Sequence, residues 1–183
     1  MANLDKKIAS ELKSVKTKPG VFIVNAKSAS IHDVSLSSLK YLLGNLKLNC
    51  CYVSLSNPHG DLTETLKEYS LPVDKMMIID ATGSSTKTKN KNITILNSNN
   101  NLTEISLAMA GMMNSKKIDF FVFDSITTLL IYHNAETVEK FFHFTINKMK
   151  TNSKTFIAFS SPSQKIEQIM PVLGEFCQSH FDI

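Results

Sequence analysis

The chain has 183 residues, 43% of them apolar and 20% charged, with a net charge of +4; that is length enough for one domain with a full core and an ordinary balance for a globular protein. No apolar run approaches the roughly 20 residues that cross a bilayer. The polar start Met1-Ala-Asn-Leu-Asp-Lys-Lys7 holds no hydrophobic signal region, so the expected compartment is the cytoplasm and no membrane partner is expected. Cys50, Cys51 and Cys177 have no metal-ligand spacing and read as free thiols, the first two on opposite faces of a strand.

Leu4, Ile8, Leu12 and Val15 recur at helical spacing. Pro19-Gly20 ends that segment and introduces a buried strand, Val21 to Val24. A polar loop, 26–33, leads to a helix from about Asp33 to Leu48, with Asp33 as its expected N-cap. Strand Cys50–Leu55 follows, then a turn at Asn57-Pro-His-Gly-Asp61 and a helix from Leu62 to Tyr69. Met76–Asp80 is a third strand, 81–92 a polar loop, and Ile93–Leu96 a short strand near an edge. Leu102–Met113 reads as a helix in which Met109, Met112 and Met113 pack the core.

Ile118–Asp124 is apolar almost throughout, as in a sheet buried on both faces. The stretch Ala135–Met149 keeps Val138, Phe141, Phe142, Ile146 and Met149 on one helical face. Thr155–Phe159 is a further strand, Ser160-Ser161-Pro162 a helix-capping turn, and Ser163–Phe176 a helix with a kink expected at Pro171. Phe181-Asp-Ile183 begins a last strand. This alternation, without a repeat or a Pro/Gly-rich linker, predicts one α/β domain over 1–183. It comprises an N-terminal helix (1–17) and a core (18–183) built as a three-layer α/β/α sandwich around a mostly parallel sheet.

Three segments go beyond architecture: Tyr52-Val-Ser-Leu-Ser-Asn-Pro58 with Asp61-Leu62, Ile79-Asp80-Ala81, and Ile118-Asp-Phe-Phe-Val-Phe-Asp-Ser-Ile-Thr-Thr-Leu-Leu130. Their order and spacing resemble the RecA/KaiC-like P-loop ATPase family over about residues 18–183. The resemblance implies a RecA-like fold and assigns positions to a nucleotide site. The first glycine of the phosphate loop falls at Ala26, the last at Ile31, the phosphate-binding lysine at His32 and the Mg²⁺-binding hydroxyl at Asp33. The two family glutamates that follow the second strand fall at Ser56 and Asn57. Asp124 keeps the Walker B carboxylate.

The loop length agrees and the chemistry does not, since no Gly-Lys-Ser/Thr occurs in 20–45. Glycines let successive N–H groups curl around phosphates, which larger residues resist. His32 is shorter than a lysine and is not a fixed cation. Asp33 places a negative charge beside a polyanion, and a carboxylate at a helix N-terminus takes the N–H groups a phosphate would use. Neither Ser56 nor Asn57 is a general base near neutral pH.

The expectation is a degenerate member of the family with no catalytic residues, no metal and no required cofactor, ATP and Mg²⁺ being possible but not expected. It would act as a regulatory or signalling module that binds a protein, either itself or an active RecA/KaiC-like relative. One alternative is a nucleotide sensor or ATPase with an unorthodox loop, in which Asp124 holds metal and either Lys27, as a displaced phosphate lysine, or a basic residue of a partner holds phosphate. Another is a DNA-repair-like paralogue whose basic tract at 86–92 touches nucleic acid, although that tract has no aromatic residue for base stacking. His32, His59, His133, His143 and His180 show no ligand pattern and read as surface or packing residues.

Overall fold

In the computed structural model, residues 2–84, 88–98 and 100–183 are described. Helix α1 (Ala2–Leu12) passes through a 3₁₀ turn to β1 (Val21–Asn25), followed by α2 (Ile31–Leu39), β2 (Cys50–Ser54), α3 (His59–Glu68) and β3 (Met76–Asp80). Then come β4 (Ile93–Ile95), α4 (Leu102–Met113), β5 (Phe120–Asp124), α5 (Ile126–Tyr132) and α6 (Ala135–Thr151). The chain closes with β6 (Thr155–Ser160), α7 (Gln164–Phe176) and β7 (Ser179–Asp182).

The seven strands form one sheet in the order β4-β3-β2-β5-β6-β1-β7. Every pairing is parallel, so the sheet is wholly rather than mostly parallel. β4 lies at an edge, as its length and composition suggest. β6 separates β1 from β5, so the first loop and Asp124 open at the same end of the sheet but one strand apart.

Strand alternation feeds two cores. Val21, Ile23, Cys51, Val53, Phe121, Phe123 and Phe156 face α4, α5, α6 and α7; Phe22, Val24, Cys50, Tyr52, Phe120, Val122 and Phe159 face α1, α2 and α3. Cys50 and Cys51 therefore do lie on opposite faces, both free and buried. Around Phe142 the packing is aromatic: its ring centroid lies 5.2 Å from Phe123, 5.4 Å from Phe141 and 6.1 Å from Phe156, with the first two edge-on. Among the described residues no helix is long and apolar enough to cross a membrane.

Several boundaries differ from those read in the sequence. α2 starts at Ile31, and its N-cap is Ser30 rather than Asp33. The Ser30 hydroxyl accepts from the Asp33 N–H at 3.0 Å and donates to the Asp33 carboxylate at 2.7 Å, a variant of the capping box. The helix then changes to π-helical turns over Lys40–Asn45 instead of running on as an α-helix to Leu48. α3 starts at His59, three residues early, because Pro58 is pre-set for a helix N-terminus and Asp61 falls within the first turn. α5 has no counterpart in the sequence reading. Its run Ile-Thr-Thr-Leu-Leu-Ile-Tyr is β-branched enough to hide a helix that the Ser125 cap and packing against the sheet enforce. The cap of α7 is Ser163, and the helix continues through Pro171 to Phe176.

Phe142→Ala, at a fully buried position, is expected to destabilise the fold by about 3–5 kcal/mol in urea denaturation. Phe144→Ala, on the same helix but 53% exposed, should shift stability by less than about 1 kcal/mol.

Candidate functional site

Parallel α/β sheets place ligands beyond the carboxyl ends of their strands, so the residues singled out in the sequence belong to one end of the molecule. The first loop leaves β1 at Asn25. The Ala26 N–H donates to the Ser160 carbonyl at 2.8 Å. The N–H groups of Lys27 and Ser28 both donate to the Ile183 carbonyl, at 2.7 and 2.8 Å. β7 brings Ile183 there by pairing alongside β1. Farther along, the Ser30–Asp33 cap takes up the first turn of α2.

Lys27 does not reach toward Asp124. Its ammonium lies 2.9 Å from Asp182, which also accepts from the Asn25 side chain at 3.0 Å. Lys27 and then Asn25 hold the Asp182 carboxyl below the usual carboxylate range. Lys27 and Asp182, with His180, line an open cleft of about 450 Å³ beside α7.

Asp124 lies on the other side of β6. It falls on the sheet face that carries Phe120 and Val122, turned toward α2 and only 7% exposed. The Tyr52 hydroxyl donates to its Oδ2 at 2.5 Å, and Ser35 Oγ of α2 lies 3.2 Å from the same hydroxyl. Burial pushes the Asp124 carboxyl above its ordinary value, against the pull of the Tyr52 hydrogen bond and nearby His32. Burial and then Asp124 raise the Tyr52 phenol in turn, so it remains a donor. His32, Ser35, Tyr52, Asn57, Asp61 and Asp124 border a cavity of only about 60 Å³ between α2 and α3.

The structure thus gathers His32 and Asp124 about one small cavity, while Lys27 lies at a separate cleft and Ala26 is buried in the extended β1 ladder. Asp33 is consumed by its own helix cap. Ser56 bonds Thr128 at 2.8 Å, and the Asn57 backbone closes a turn with Ser54. Ser35 and Ile183 lie outside the site residues read in the sequence, Ser160 reads there as part of a capping turn, and Tyr52 opens the second-strand motif without a site role. Strand alternation puts Tyr52 on the Asp124 face and could have revealed it; Ile183 had no local sign. Among the described residues, no group of three or more His, Cys, Asp or Glu side chains could hold a metal ion. Of the basic tract at 86–92, Thr86 and Lys87 lie outside the described residues, and Lys89 and Lys91 are exposed.

A second carboxylate at this end is treated differently. Asp80, fully buried at the end of β3, accepts from the His59 backbone N–H and from the His59 ring, both at 2.8 Å. It also accepts from the Thr82 N–H at 3.0 Å and the Thr82 hydroxyl at 2.6 Å. Burial alone would raise its carboxyl, but the Thr82 and His59 donors more than reverse that and leave it below the ordinary value.

No family model matches the sequence, and no curated protein matches it. Among solved structures, the KaiC-like protein PH0186 from the hyperthermophilic archaeon Pyrococcus horikoshii OT3 is similar with a TM-score of 0.65 at 9% identity, covering 89% of this chain and 71% of that one. The flagellar accessory protein FlaH from Methanocaldococcus jannaschii is similar with a TM-score of 0.57 at 14% identity, covering 98% of this chain and 76% of that one. The likeness is one of architecture: the chain has the RecA/KaiC-like α/β fold.

The two aspartates should respond to pH with opposite signs. Asp124 binds its proton more tightly when folded, so stability falls as pH rises from the ordinary carboxylate pKa through the raised one. Asp124→Asn, which keeps an acceptor for Tyr52, is therefore expected to raise the Tm at pH 7, with the gain vanishing below about pH 3. Asp80 has the depressed pKa, so its contribution is present above the ordinary value and lost as pH falls through the lowered one. Asp80→Asn should cost about 1–3 kcal/mol at pH 7 and progressively less on acidification, as read by thermal melts across pH.

Proposed function

We propose that this chain is a RecA/KaiC-like fold without ATPase chemistry, acting as a regulatory module through contacts with a protein partner, a second copy or an active relative of the same fold. The observation that carries this reading is the occupation of the first loop by the chain's own oxygens. A phosphate cradle needs N–H groups free to converge on an anion. Here those of Lys27 and Ser28 are directed at the Ile183 carbonyl, and that of Ala26 at Ser160.

Other features agree. Lys27, the available cation in the loop, is paired with Asp182. Asp124 is buried, bonded to Tyr52 and raised in pKa, which is the wrong state for a carboxylate that must hold a divalent ion. The family's base positions carry Ser56 and Asn57, so nothing there deprotonates an attacking water. With the chemistry removed, what the fold retains is a rigid parallel sheet presenting helices and loops for recognition.

Isothermal titration with Mg-ATP is expected to show no micromolar binding that depends on Lys27 or Asp124, and sedimentation velocity should give the same species with and without Mg-ATP. Micromolar affinity lost in Lys27→Ala or Asp124→Asn, or assembly driven by nucleotide, overturns the reading.

A further inference from the structure

The opposite end of the sheet, where the strands begin, carries a group of lysines that the function above does not use. Lys16 comes from the 3₁₀ turn after α1, Lys116 from the turn before β5, and Lys154 from the turn before β6. With Ser153 they border a hollow of about 200 Å³. Lys18 and Lys117 are close in sequence to this group and also exposed. We propose that this hollow is a binding site for a phosphate-bearing anion, held by Lys16, Lys116 and Lys154.

The charge there is positive on balance, three lysines against the one carboxylate of Asp119. Among the described residues, lysine ion pairs form at Lys27, Lys40 and Lys140, and none involves Lys16, Lys116 or Lys154. Asp119 also borders the hollow; its Oδ2 accepts from the Asn49 N–H at 2.7 Å and from the Asn49 side chain at 3.2 Å.

Lysines at helix C-termini often serve to satisfy terminal carbonyls, and here that duty is already discharged. The carbonyls of Lys148, Met149 and Lys150, ending α6, accept from the N–H groups of Asn152, Lys154 and Ser153. Met112 of α4 accepts from Ser115, and Ser14 accepts from Thr17 and Lys18. Lys16 and Lys116 are therefore surplus to capping. Lys154 is partly buried and pinned, its ammonium donating to the Ser115 and Ile118 carbonyls at 2.9 and 2.6 Å. That leaves one of its three protons for a ligand. One ammonium held in place and two on exposed arms border one hollow, and lysine recognises phosphate as such point charges. The hollow has room for a phosphate or diphosphate group.

Inorganic pyrophosphate without divalent metal, titrated into the full chain at low ionic strength, is expected to bind saturably at one site. The double variant Lys16→Ala, Lys116→Ala should weaken binding about tenfold, while Lys140→Ala should leave it unchanged. Lys154 is best left intact because it also holds two carbonyls. If pyrophosphate does not bind but vesicles of phosphatidylcholine containing a phosphoinositide do, with the same lysine dependence, the anion is a lipid headgroup and the site stands. Failure of both probes, or binding that survives the double substitution, overturns the proposal. These lysines lie at the end remote from Lys27 and Asp124, so this outcome and the Mg-ATP outcome are separable.

Discussion

Backbone donors at the head of a parallel sheet must meet acceptors, and in this molecule the acceptors are internal. β7 lies beside β1 in parallel register, from Phe22 against Ser179 to Asn25 against Asp182. That pairing carries the Ile183 carbonyl to the N–H groups of Lys27 and Ser28, and Asp182 to Lys27 and Asn25. The loop is thereby held as an extension of the sheet ladder. An incoming phosphate would have to displace bonds that are already made, and leaving the Ile183 carbonyl without a donor would carry its own cost.

The same economy governs the carboxylates. Asp80 and Asp124 both sit at strand ends and are both removed from water. Asp80 gathers four donor contacts from His59 and Thr82 and is stabilised as an anion. Asp124 has one strong donor, the Tyr52 hydroxyl, which cannot offset its burial. One carboxylate consequently ties a turn to a strand end, and the other is a tolerated strain on the fold at neutral pH. A carboxylate that keeps its charge reluctantly is poorly suited to hold a cation, whereas one saturated with donors has no lone pairs to spare for it.

The two ends of the sheet differ in which polar groups they present. Helices in such a fold start near the carboxyl ends of the strands and finish near the amino ends, so their unpaired N–H groups gather at one end and their carbonyls at the other. At the amino end, helix carbonyls are satisfied by backbone N–H groups, and Lys16 and Lys116 remain exposed and unpaired among the described residues. At the carboxyl end, by contrast, Lys27 is paired with Asp182.

Composition and periodicity by themselves determined the α/β class, the order of the strands and of every α-helix but α5, the opposed faces of Cys50 and Cys51, and the missing Gly-Lys-Ser/Thr. These depend on local spacing and residue identity, which a linear pattern records. α5 escaped because its β-branched run mimics a strand until the sheet packs against it. The cap of α2 was misplaced by three residues because Ser30 and Asp33 are both good caps and only the backbone chooses between them. What the tertiary structure alone decided is which distant groups meet: Tyr52 with Asp124, 72 residues apart, and Asn25 with Asp182, 157 apart. Strand order and register set those meetings, and both arise from packing whole elements together rather than from any short stretch of chain.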